Sequence, residues 1–118
     1  MGCIFCKIII GDTPADVIYE DENSIAFSPK NPIAKGHTLL IPKSHVENLF
    51  DISYQELMNL SSATKKIAQR LIDINTATGM NLLHASSKDA QQSVFHFHFH
   101  LIPRYENDGL DLWIKQDL

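Results

Sequence analysis

The sequence predicts an α+β fold, and three observations lead to that prediction. Histidine and large apolar residues alternate strictly over residues 95–100, which is the period of a β-strand. Apolar residues recur at helical spacing between residues 57 and 74. Short runs rich in β-branched and aromatic residues, separated by turn residues, lie on both sides of that helix. Antiparallel strands with one main helix make an α+β domain.

The part of the chain before residue 50 is predicted to contain one short helix and three short strands. These elements span residues 4–10, 17–19, 24–28 and 37–41. The pair of cysteines opens the helix, and residues 20–23 form the turn between the first two strands. Pro29 and Pro32 keep residues 28–35 in a loop, and Pro42 ends the third strand.

The remainder is predicted to contain one long helix and two more strands. Ser53 and Glu56 have the spacing of a capping box at the start of the helix. Its apolar stripe is interpreted as core rather than as a cofactor site, and it consists of Leu57, Leu60, Ile67, Leu71 and Ile74. Gly79 closes the helix region, and a polar loop covers residues 86–92. The two strands are expected at residues 80–84 and 95–103.

Length, charge and cysteine content narrow the class of protein. The 118 residues suit one domain, residues 1–118, and a hydrophobic fraction of 44% is enough for a single core. A net charge of −4 without a basic run argues against a surface for nucleic acid or for anionic membranes. No stretch approaches the roughly 20 apolar residues of a spanning helix and no secretory signal is evident, so the cytoplasm is the expected location. Two cysteines three residues apart exclude a disulfide framework and bring a metal site forward.

The alternating segment places its histidines and its apolar residues on opposite faces of a strand. His96, His98 and His100 share one face. The other face is expected to pack into the core, and it carries Phe95, Phe97, Phe99 and Leu101. The outer imidazoles are about 13 Å apart on a straight strand, so the three cannot converge on one zinc ion with bonds of about 2.1 Å. A row of imidazoles instead suits an anionic substrate and acid–base or nucleophilic catalysis.

The segment His96–Ile102 resembles the signature of the histidine triad (HIT) superfamily, in which three histidines alternate with apolar residues and two apolar residues end the motif. Further blocks resemble the same family in the same order, at residues 3–9, 17–21, 36–43 and 90–94. The length and layout are similar to the Hint branch of small nucleotide-binding proteins, rather than to the dinucleotide hydrolase or galactose transferase branches. The resemblance implies a HIT-like fold, with a five-stranded antiparallel sheet, one long and one short helix, and pairing into a homodimer.

The resemblance also implies a reaction and the residues that perform it. His98 matches the family's nucleophile, which forms a covalent nucleotidyl-histidine intermediate. His100 and His37 would flank the α-phosphate, and Ser93 would donate a hydrogen bond near the leaving group. Imidazole suits nucleophilic attack because much of it is unprotonated near neutral pH, at its usual pKa of about 6.5. A purine nucleotide or nucleotidyl conjugate is expected to contact Ile4, Phe5, Ile8, Phe27 and Gln92.

The pair Cys3 and Cys6 has three interpretations from the residues alone: a redox motif, half of a zinc site, or two idle thiols. The redox motif follows a strand, and none is predicted before this pair. Zinc-bearing members of the resembled family add the histidine of the Pro-Lys-x-His block and the first triad histidine, here His45 and His96. The implied set of two cysteines and two histidines has no open position, so the zinc would be structural. His84 is interpreted as an ordinary strand residue.

Three positions depart from the family pattern. Pro29 stands where relatives carry a ribose-binding aspartate, Ala85 where they carry an asparagine, and Gln91 where glycine is usual. The leading hypothesis is a hydrolase that cleaves the P–N bond of nucleoside phosphoramidates at the α-phosphate. One alternative is a dinucleoside polyphosphate hydrolase. Another, which Pro29 and Ala85 favour, is a binding or regulatory module that holds nucleotides without useful turnover.

Overall fold

The computed structural model describes residues 2–115 and confirms an α+β architecture with a five-stranded antiparallel sheet. The helices are α1 (Ile4–Ile9) and α2 (Tyr54–Asn75). The strands are β1 (Val17–Glu20), β2 (Ser24–Phe27), β3 (Thr38–Pro42), β4 (Gly79–Leu83) and β5 (Phe99–Arg104). They stand in the order β1-β2-β3-β5-β4. The predicted domain spans residues 1–118, of which Met1 and residues 116–118 lie outside the described residues.

Strands β2 and β3 are buried on both faces because a helix covers each side of the sheet. The cluster under α2 includes Ala26, Leu40, Leu60, Ile67 and Phe97. The cluster under α1 consists of Phe5, Ile25, Phe27, Leu39 and Ile41. His100 of β5 pairs with Leu39 of β3, and residues opposite each other in a ladder share a face. The last triad histidine therefore lies on the α1 side of the sheet.

Helix α2 confirms the capping box and corrects one end of the predicted stripe. The Glu56 amide donates to Ser53 Oγ at 3.1 Å, and the Ser53 amide donates to the Glu56 carboxylate at 3.2 Å. The inner face carries half-buried Leu57 and buried Leu60, Ala63, Ile67 and Leu71. Ile74 is 67% exposed, so its prediction as a core residue is wrong. The inner stripe continues instead at Asn75, whose amide packs against Gly36 so closely that a Cβ there would lie 2.7 Å from Asn75 Nδ2.

Thr76, not Gly79, ends helix α2. Its φ of 56° is left-handed, and Gly79 is instead the first residue of β4. The loop after β4 contains a single 3₁₀ turn at Lys88–Ala90, which lies between Ser87 at φ 79° and Gln91 at φ 71°. Glycine adopts such backbone conformations most easily, so Gln91 holds a conformation that suits glycine better.

The triad segment is a strand only in its second half, because β5 begins at Phe99 and residues 95–98 precede it. The Phe97 amide donates to the Val46 carbonyl at 2.7 Å, so this backbone pairs with a loop instead of a strand. The alternation of faces persists, since Phe97 is fully buried in the cluster under α2. Phe95 is 49% exposed, so the prediction that it packs into the core is wrong. It lies four residues ahead of the paired strand β5.

Helix α1 begins at a thiol. Cys3 is its N-cap, and the Cys6 amide donates to Cys3 Sγ at 3.3 Å. The inner residue of the helix is Phe5, whose ring lies edge-on to that of Phe27 at 5.5 Å between centroids. This contact fixes α1 over the sheet face that carries His100.

The segment after β5 is tied back by one arginine. Arg104 donates to both oxygens of Asp108, at 2.8 and 2.9 Å, and to Asn81 Oδ1 at 2.8 Å. It also donates to the carbonyl of Leu110 at 2.6 Å. Beyond this anchor Trp113 is 66% exposed. Within residues 2–115, neither helix is long and apolar enough to cross a membrane.

Candidate active site and metal centre

A cavity of ≈ 780 Å³ lies on the α1 side of the sheet. Its apolar walls include four residues that the sequence predicts as substrate contacts: Ile4, Phe5, Ile8 and Phe27. Its polar lining includes the four residues predicted to be catalytic: His37, Ser93, His98 and His100. The structure thus brings these eight residues into one cavity, whose volume lies in the range of small-molecule pockets.

His98 is oriented by the backbone of the residue two positions before it. Its Nδ1 lies 2.8 Å from the His96 carbonyl oxygen, and a ring nitrogen bonded to a carbonyl must carry the proton. Nε2 is therefore the unprotonated nitrogen of the neutral ring. Burial lowers the pKa of His98 below its ordinary value, although the hydrogen bond to His96 acts in the opposite direction. Near neutral pH the ring is thus a neutral base with its lone pair on Nε2.

His37 and His100 form a pair whose tautomers are also fixed by the backbone. The Ile33 amide donates to His37 Nδ1 at 3.2 Å, and because an amide only donates, that nitrogen is unprotonated. His37 Nε2 therefore carries the proton and donates to His100 Nδ1, 3.0 Å away. It follows that His100 carries its proton on Nε2. The ring centroids of His98 and His100 are 5.0 Å apart, so a ring with a lone pair on Nε2 neighbours a ring with a proton on Nε2.

The three rings of this cavity are neutral near neutral pH. Burial lowers the pKa of His37. Burial and then the neighbouring imidazoles of His98, His37 and His84 lower the pKa of His100 to about 4. The rings therefore act as a base and as hydrogen-bond donors rather than as fixed positive charges.

Phe5 connects the cavity wall to the imidazoles. Its ring is edge-on to His98 at 5.3 Å and to His96 at 5.8 Å between centroids. Only 5% of Phe5 is exposed, so these contacts lie inside the packed face of α1. The position of α1 therefore influences the position of the His98 ring.

The four predicted metal ligands meet at the start of α1. Cys3, Cys6, His45 and His96 each offer one ligand atom, and these atoms all lie within 4.8 Å of one another. Cys3 Sγ is 3.4 Å from His96 Nδ1. Cys6 Sγ is 3.2 Å from His45 Nδ1 and 3.6 Å from His96 Nδ1.

This donor set fits a tetrahedral zinc ion. Bonds of about 2.3 Å to sulfur and about 2.0–2.1 Å to nitrogen place the ligand atoms roughly 3.3–3.8 Å apart. The three sulfur–nitrogen separations above are close to this range, at 3.2, 3.4 and 3.6 Å. His96 Nε2 donates to the Pro42 carbonyl at 2.9 Å, which leaves the Nδ1 lone pair facing the thiols. Burial and the neighbouring Cys3 raise the pKa of the Cys6 thiol. Two thiolates at this place therefore require a cation to stabilise their negative charge. The cluster can therefore hold a metal ion.

Gln92 does not line the cavity, which differs from its predicted contact with the substrate. Its side chain is buried, and its amide nitrogen donates to the carbonyls of Glu47 at 2.6 Å and Val94 at 3.0 Å. Its amide oxygen accepts from the Ser87 amide at 2.7 Å. Because the backbone already satisfies both ends of the amide, we reassign Gln92 to holding the loop of residues 86–92.

The departures from the family pattern occupy two different places. Pro29 lines the cavity together with Lys30 and Asn31, and none of the wall residues described is an aspartate or glutamate. Ala85 is not part of the walls.

His84 is not the ordinary strand residue that the sequence predicts. Strand β4 ends at Leu83, and His84 Nδ1 lies 3.0 Å from the carbonyl oxygen of His98. The His84 ring stacks on Phe97, with 4.3 Å between centroids. The only indication in the sequence is the position of His84, where the predicted strand ends and the polar loop begins. A period-two pattern does not reveal a bond from a side chain to a distant backbone atom.

The HIT domain family model matches residues 11–107, a span that contains all six histidines. A crystal structure of a HIT family member from Bacillus subtilis is 42% identical with a TM-score of 0.92, over 99% of this chain and 84% of that one. A zinc-bound histidine triad family protein from Mycobacterium smegmatis is 37% identical with a TM-score of 0.90, over 99% of this chain and 85% of that one. Adenylylsulfatase HINT3 from Arabidopsis thaliana is 34% identical over 116 residues, which is 98% of this chain and 58% of that protein.

Proposed function

Because the chain belongs to the HIT domain family, we propose that it is a nucleotide-binding hydrolase that cleaves the P–N bond of nucleoside phosphoramidates at the α-phosphate. The observation that carries this proposal is the fixed tautomer of His98. Its Nδ1 proton is held by the His96 carbonyl at 2.8 Å, which leaves the lone pair on Nε2 in a ring that lines the cavity. A neutral imidazole with an available lone pair is the form that can attack phosphorus.

The proposed reaction has two displacements at the same phosphorus. In the first, a bond forms between His98 Nε2 and phosphorus while the P–N bond to the amine breaks, and the amine leaves with one added proton. In the second, water attacks phosphorus, the bond to Nε2 breaks and the water gives up one proton. The net reaction consumes one water and yields a nucleoside monophosphate and an amine, and His98 is restored. Splitting one displacement into two easier steps is covalent catalysis.

In this proposal His100 and Ser93 supply hydrogen bonds to the reacting group, and His37 orients the first of these donors. His100 presents Nε2–H because its Nδ1 accepts from His37 at 3.0 Å. His37 thus acts through His100 and also lines the cavity. The Ser93 hydroxyl lines the same cavity and is proposed to donate near the leaving group. Donors fixed in advance stabilise charge that develops on the phosphoryl oxygens without reorganising during the reaction.

The apolar part of the cavity is proposed to hold the purine. Ile4, Phe5, Ile8 and Phe27 form walls of aliphatic and aromatic carbon, which suit a flat base. The ribose would rest near Pro29 with no carboxylate to accept its hydroxyls. We therefore expect weaker discrimination among sugars than a carboxylate would provide.

We further propose that Cys3, Cys6, His45 and His96 hold one structural zinc ion. The mutual distances of their ligand atoms, all within 4.8 Å, support this assignment. The zinc-bound relative from Mycobacterium smegmatis supports the identity of the metal. A closed set of four protein ligands leaves no place for a reacting water, so its contribution is to hold the segment before α1 against the sheet.

The setting of the protein is proposed as well. We infer a homodimer in the cytoplasm that takes a purine nucleotide or nucleotidyl conjugate as its partner, without nucleic acid or membrane. The net charge of −4 supports the last part, because surfaces that bind polyanions are basic.

Two other functions compete with this proposal. A dinucleoside polyphosphate hydrolase would use the same nucleophile with a phosphate as leaving group. A regulatory module would bind nucleotides without turnover, and the absence of a carboxylate from the described cavity walls favours that reading. The relative named adenylylsulfatase adds sulfate as a third leaving group to compare.

Steady-state hydrolysis separates these functions. Adenosine 5′-phosphoramidate, a diadenosine polyphosphate and adenylyl sulfate are each offered to the wild type, His98→Ala and the exposed control Lys66→Ala. We expect the phosphoramidate to have the highest kcat/KM, and its hydrolysis to fall on the order of 10³-fold or more in His98→Ala. Lys66→Ala should retain wild-type rates, because Lys66 lies on the outer face of α2. A preference for the polyphosphate, or binding of AMP with no turnover of any substrate, would replace the proposal with one of its competitors.

A further inference from the structure

We propose that His84 is a positioning residue for the nucleophile, holding the His98 backbone by donating its Nδ1 proton to the His98 carbonyl oxygen at 3.0 Å. This inference rests on the proposed function, because it takes His98 as the reacting group. His84 does not line the cavity, so its effect on the reaction must pass through His98.

The His98 carbonyl lies just beyond the regular sheet. Pairing between β4 and β5 ends at Leu83 and His100, and pairing between β3 and β5 ends at Leu40 and Phe99. A nucleophile that lies one residue ahead of a paired strand needs another means of fixing its peptide plane. The His84 side chain supplies it by extending the sheet with a side-chain donor where the backbone ladder stops.

The His98 carbonyl requires a proton on His84 Nδ1, and a chain of hydrogen bonds reaches the other nitrogen of the ring. The Leu49 amide donates to Ser86 Oγ at 2.9 Å, and the Ser86 hydroxyl lies 2.5 Å from His84 Nε2. Nδ1 must donate to the His98 carbonyl, and we assign the Ser86 hydroxyl as the donor to Nε2. Donors along this chain point in one direction, from the loop before α2 to the nucleophile, and such chains strengthen each bond by polarisation.

Aromatic packing also holds the His84 ring in place, in addition to its hydrogen bonds. The ring stacks on Phe97 at 4.3 Å between centroids and an interplanar angle of 26°. It also lies edge-on to Phe99 at 5.7 Å. These two residues flank His98 in the chain, so His84 holds the residue before it, the residue after it and its own carbonyl.

His98 is therefore constrained at two places, its backbone carbonyl and its side-chain ring. Its carbonyl is held by His84, while its own Nδ1 donates to the His96 carbonyl at 2.8 Å. Release of the carbonyl would let the peptide plane of residue 98 rotate and weaken the bond that fixes the tautomer. A misplacement of about 1 Å at a reacting group can cost on the order of 10²-fold in rate.

Two substitutions separate the donor from the ring. His84→Asn keeps an N–H donor at the position of Nδ1 and loses the stacking, whereas His84→Phe keeps the stacked ring and loses the donor. With adenosine 5′-phosphoramidate as substrate, we expect His84→Phe to lower kcat by roughly 10–100-fold. Its KM and its Kd for AMP should stay within about twofold, because the cavity walls are unchanged. His84→Asn should retain kcat within about threefold of the wild type.

A purely structural role would give a different pattern. Equal kcat in His84→Phe and the wild type would overturn the inference, as would parallel loss of kcat, AMP affinity and melting temperature in both variants. A second readout is independent of turnover: ¹⁵N NMR of the His98 ring should show protonated Nδ1 and unprotonated Nε2 in the wild type and in His84→Asn, and a mixture of tautomers in His84→Phe. If the wild type hydrolyses no phosphoramidate, the proposed function fails while this spectrum still decides the role of His84. An unchanged His98 spectrum in His84→Phe would exclude it.

Discussion

At the scale of the residue, the site depends on which nitrogen of each imidazole carries the proton. The backbone decides this for the three rings of the cavity, since His98 faces a carbonyl and His37 faces an amide. The tautomer of His100 then follows from that of His37. The result is two neighbouring neutral rings, His98 with a lone pair on Nε2 and His100 with a proton on Nε2.

His100 gives a prediction about acid stability. Its native pKa of about 4 lies below the ordinary value of 6.5, so between these pH values the unfolded chain binds a proton that the native chain does not. Stability conferred by the neutral ring is therefore present above pH 6.5 and is lost as the pH falls towards 4. His37 contributes in the same direction because burial lowers its pKa.

Urea unfolding at pH 7 and pH 5 tests this prediction by comparing the wild type with His100→Gln, which cannot titrate. We expect the wild type to lose about 1–2 kcal/mol more than His100→Gln between the two pH values. The difference cancels contributions that both proteins share, including those of carboxylates and of the metal cluster. Equal losses in the two proteins would mean that His100 is not held neutral in the native state.

The residues of the cavity were largely predictable, but their bonds were not. The pattern of the triad and the resemblance predicted eight residues that line one cavity, and the four clustered cysteines and histidines. They did not predict that Gln92 is satisfied by backbone groups, because sequence position does not tell which way an amide points. They also did not predict the role of His84, whose partner lies fourteen positions away.

At the scale of the element, helix α1 joins the metal cluster to the cavity. Cys3 is the N-cap of this helix, and Cys6 lies within it. Between them, the ring of Phe5 packs on the ring of His98, with 5.3 Å between centroids. Six residues form a marginal helix on their own, so tertiary contacts must hold it in place. A bound metal ion at Cys3 and Cys6 would supply such a contact.

Removal of a thiol therefore has two expected effects. Cys3→Ser should lower zinc to well below one ion per chain by elemental analysis, and lower the melting temperature by about 5 °C or more. It should also weaken AMP binding, because Ile4, Phe5 and Ile8 of α1 line the cavity. Ile10→Ser is the matched control, since Ile10 is 70% exposed at the other end of α1. One zinc ion per chain in Cys3→Ser, with unchanged melting, would remove Cys3 from the ligand set.

The elements were predicted well where a periodic pattern had a partner to pack on, and poorly at their ends. The start of α2 is set by a local motif, the capping box of Ser53 and Glu56. The start of β5 depends instead on which backbone segment pairs with it, and that segment is distant in the sequence. Residues 95–98 continue the strand pattern but pair with the loop at Val46, so alternation alone placed the strand four residues too early. Phe95 is exposed for the same reason.

At the scale of the whole molecule, the two edge strands of the sheet, β1 and β4, differ in the regularity of their pairing. Strand β1 carries an irregularity between Val17 and Tyr19, and such bulges protect an edge. Strand β4 is a regular five-residue edge, and Leu82 on it is 49% exposed. A regular edge with an exposed leucine favours pairing with a second copy of the chain.

We therefore predict a homodimer formed through β4. Light scattering at micromolar concentration should give twice the monomer mass for the wild type, and the monomer mass for Leu82→Lys, because a buried lysine opposes the pairing of edges. Ile10→Lys is a control that changes an exposed apolar residue to the same cation away from β4. A monomeric wild type, or a dimer that survives in Leu82→Lys as well as in Ile10→Lys, would contradict this assignment.

In the proposed reaction His98 becomes covalently bonded to phosphorus, and a trapping experiment detects that bond. The protein is mixed with a labelled adenosine phosphoramidate, quenched within milliseconds and digested, and the peptides are mapped by mass. We predict one nucleotidyl adduct on His98, absent in His98→Ala and present in the control Lys66→Ala. An adduct on His96 or His100, or full turnover by His98→Ala, would contradict it.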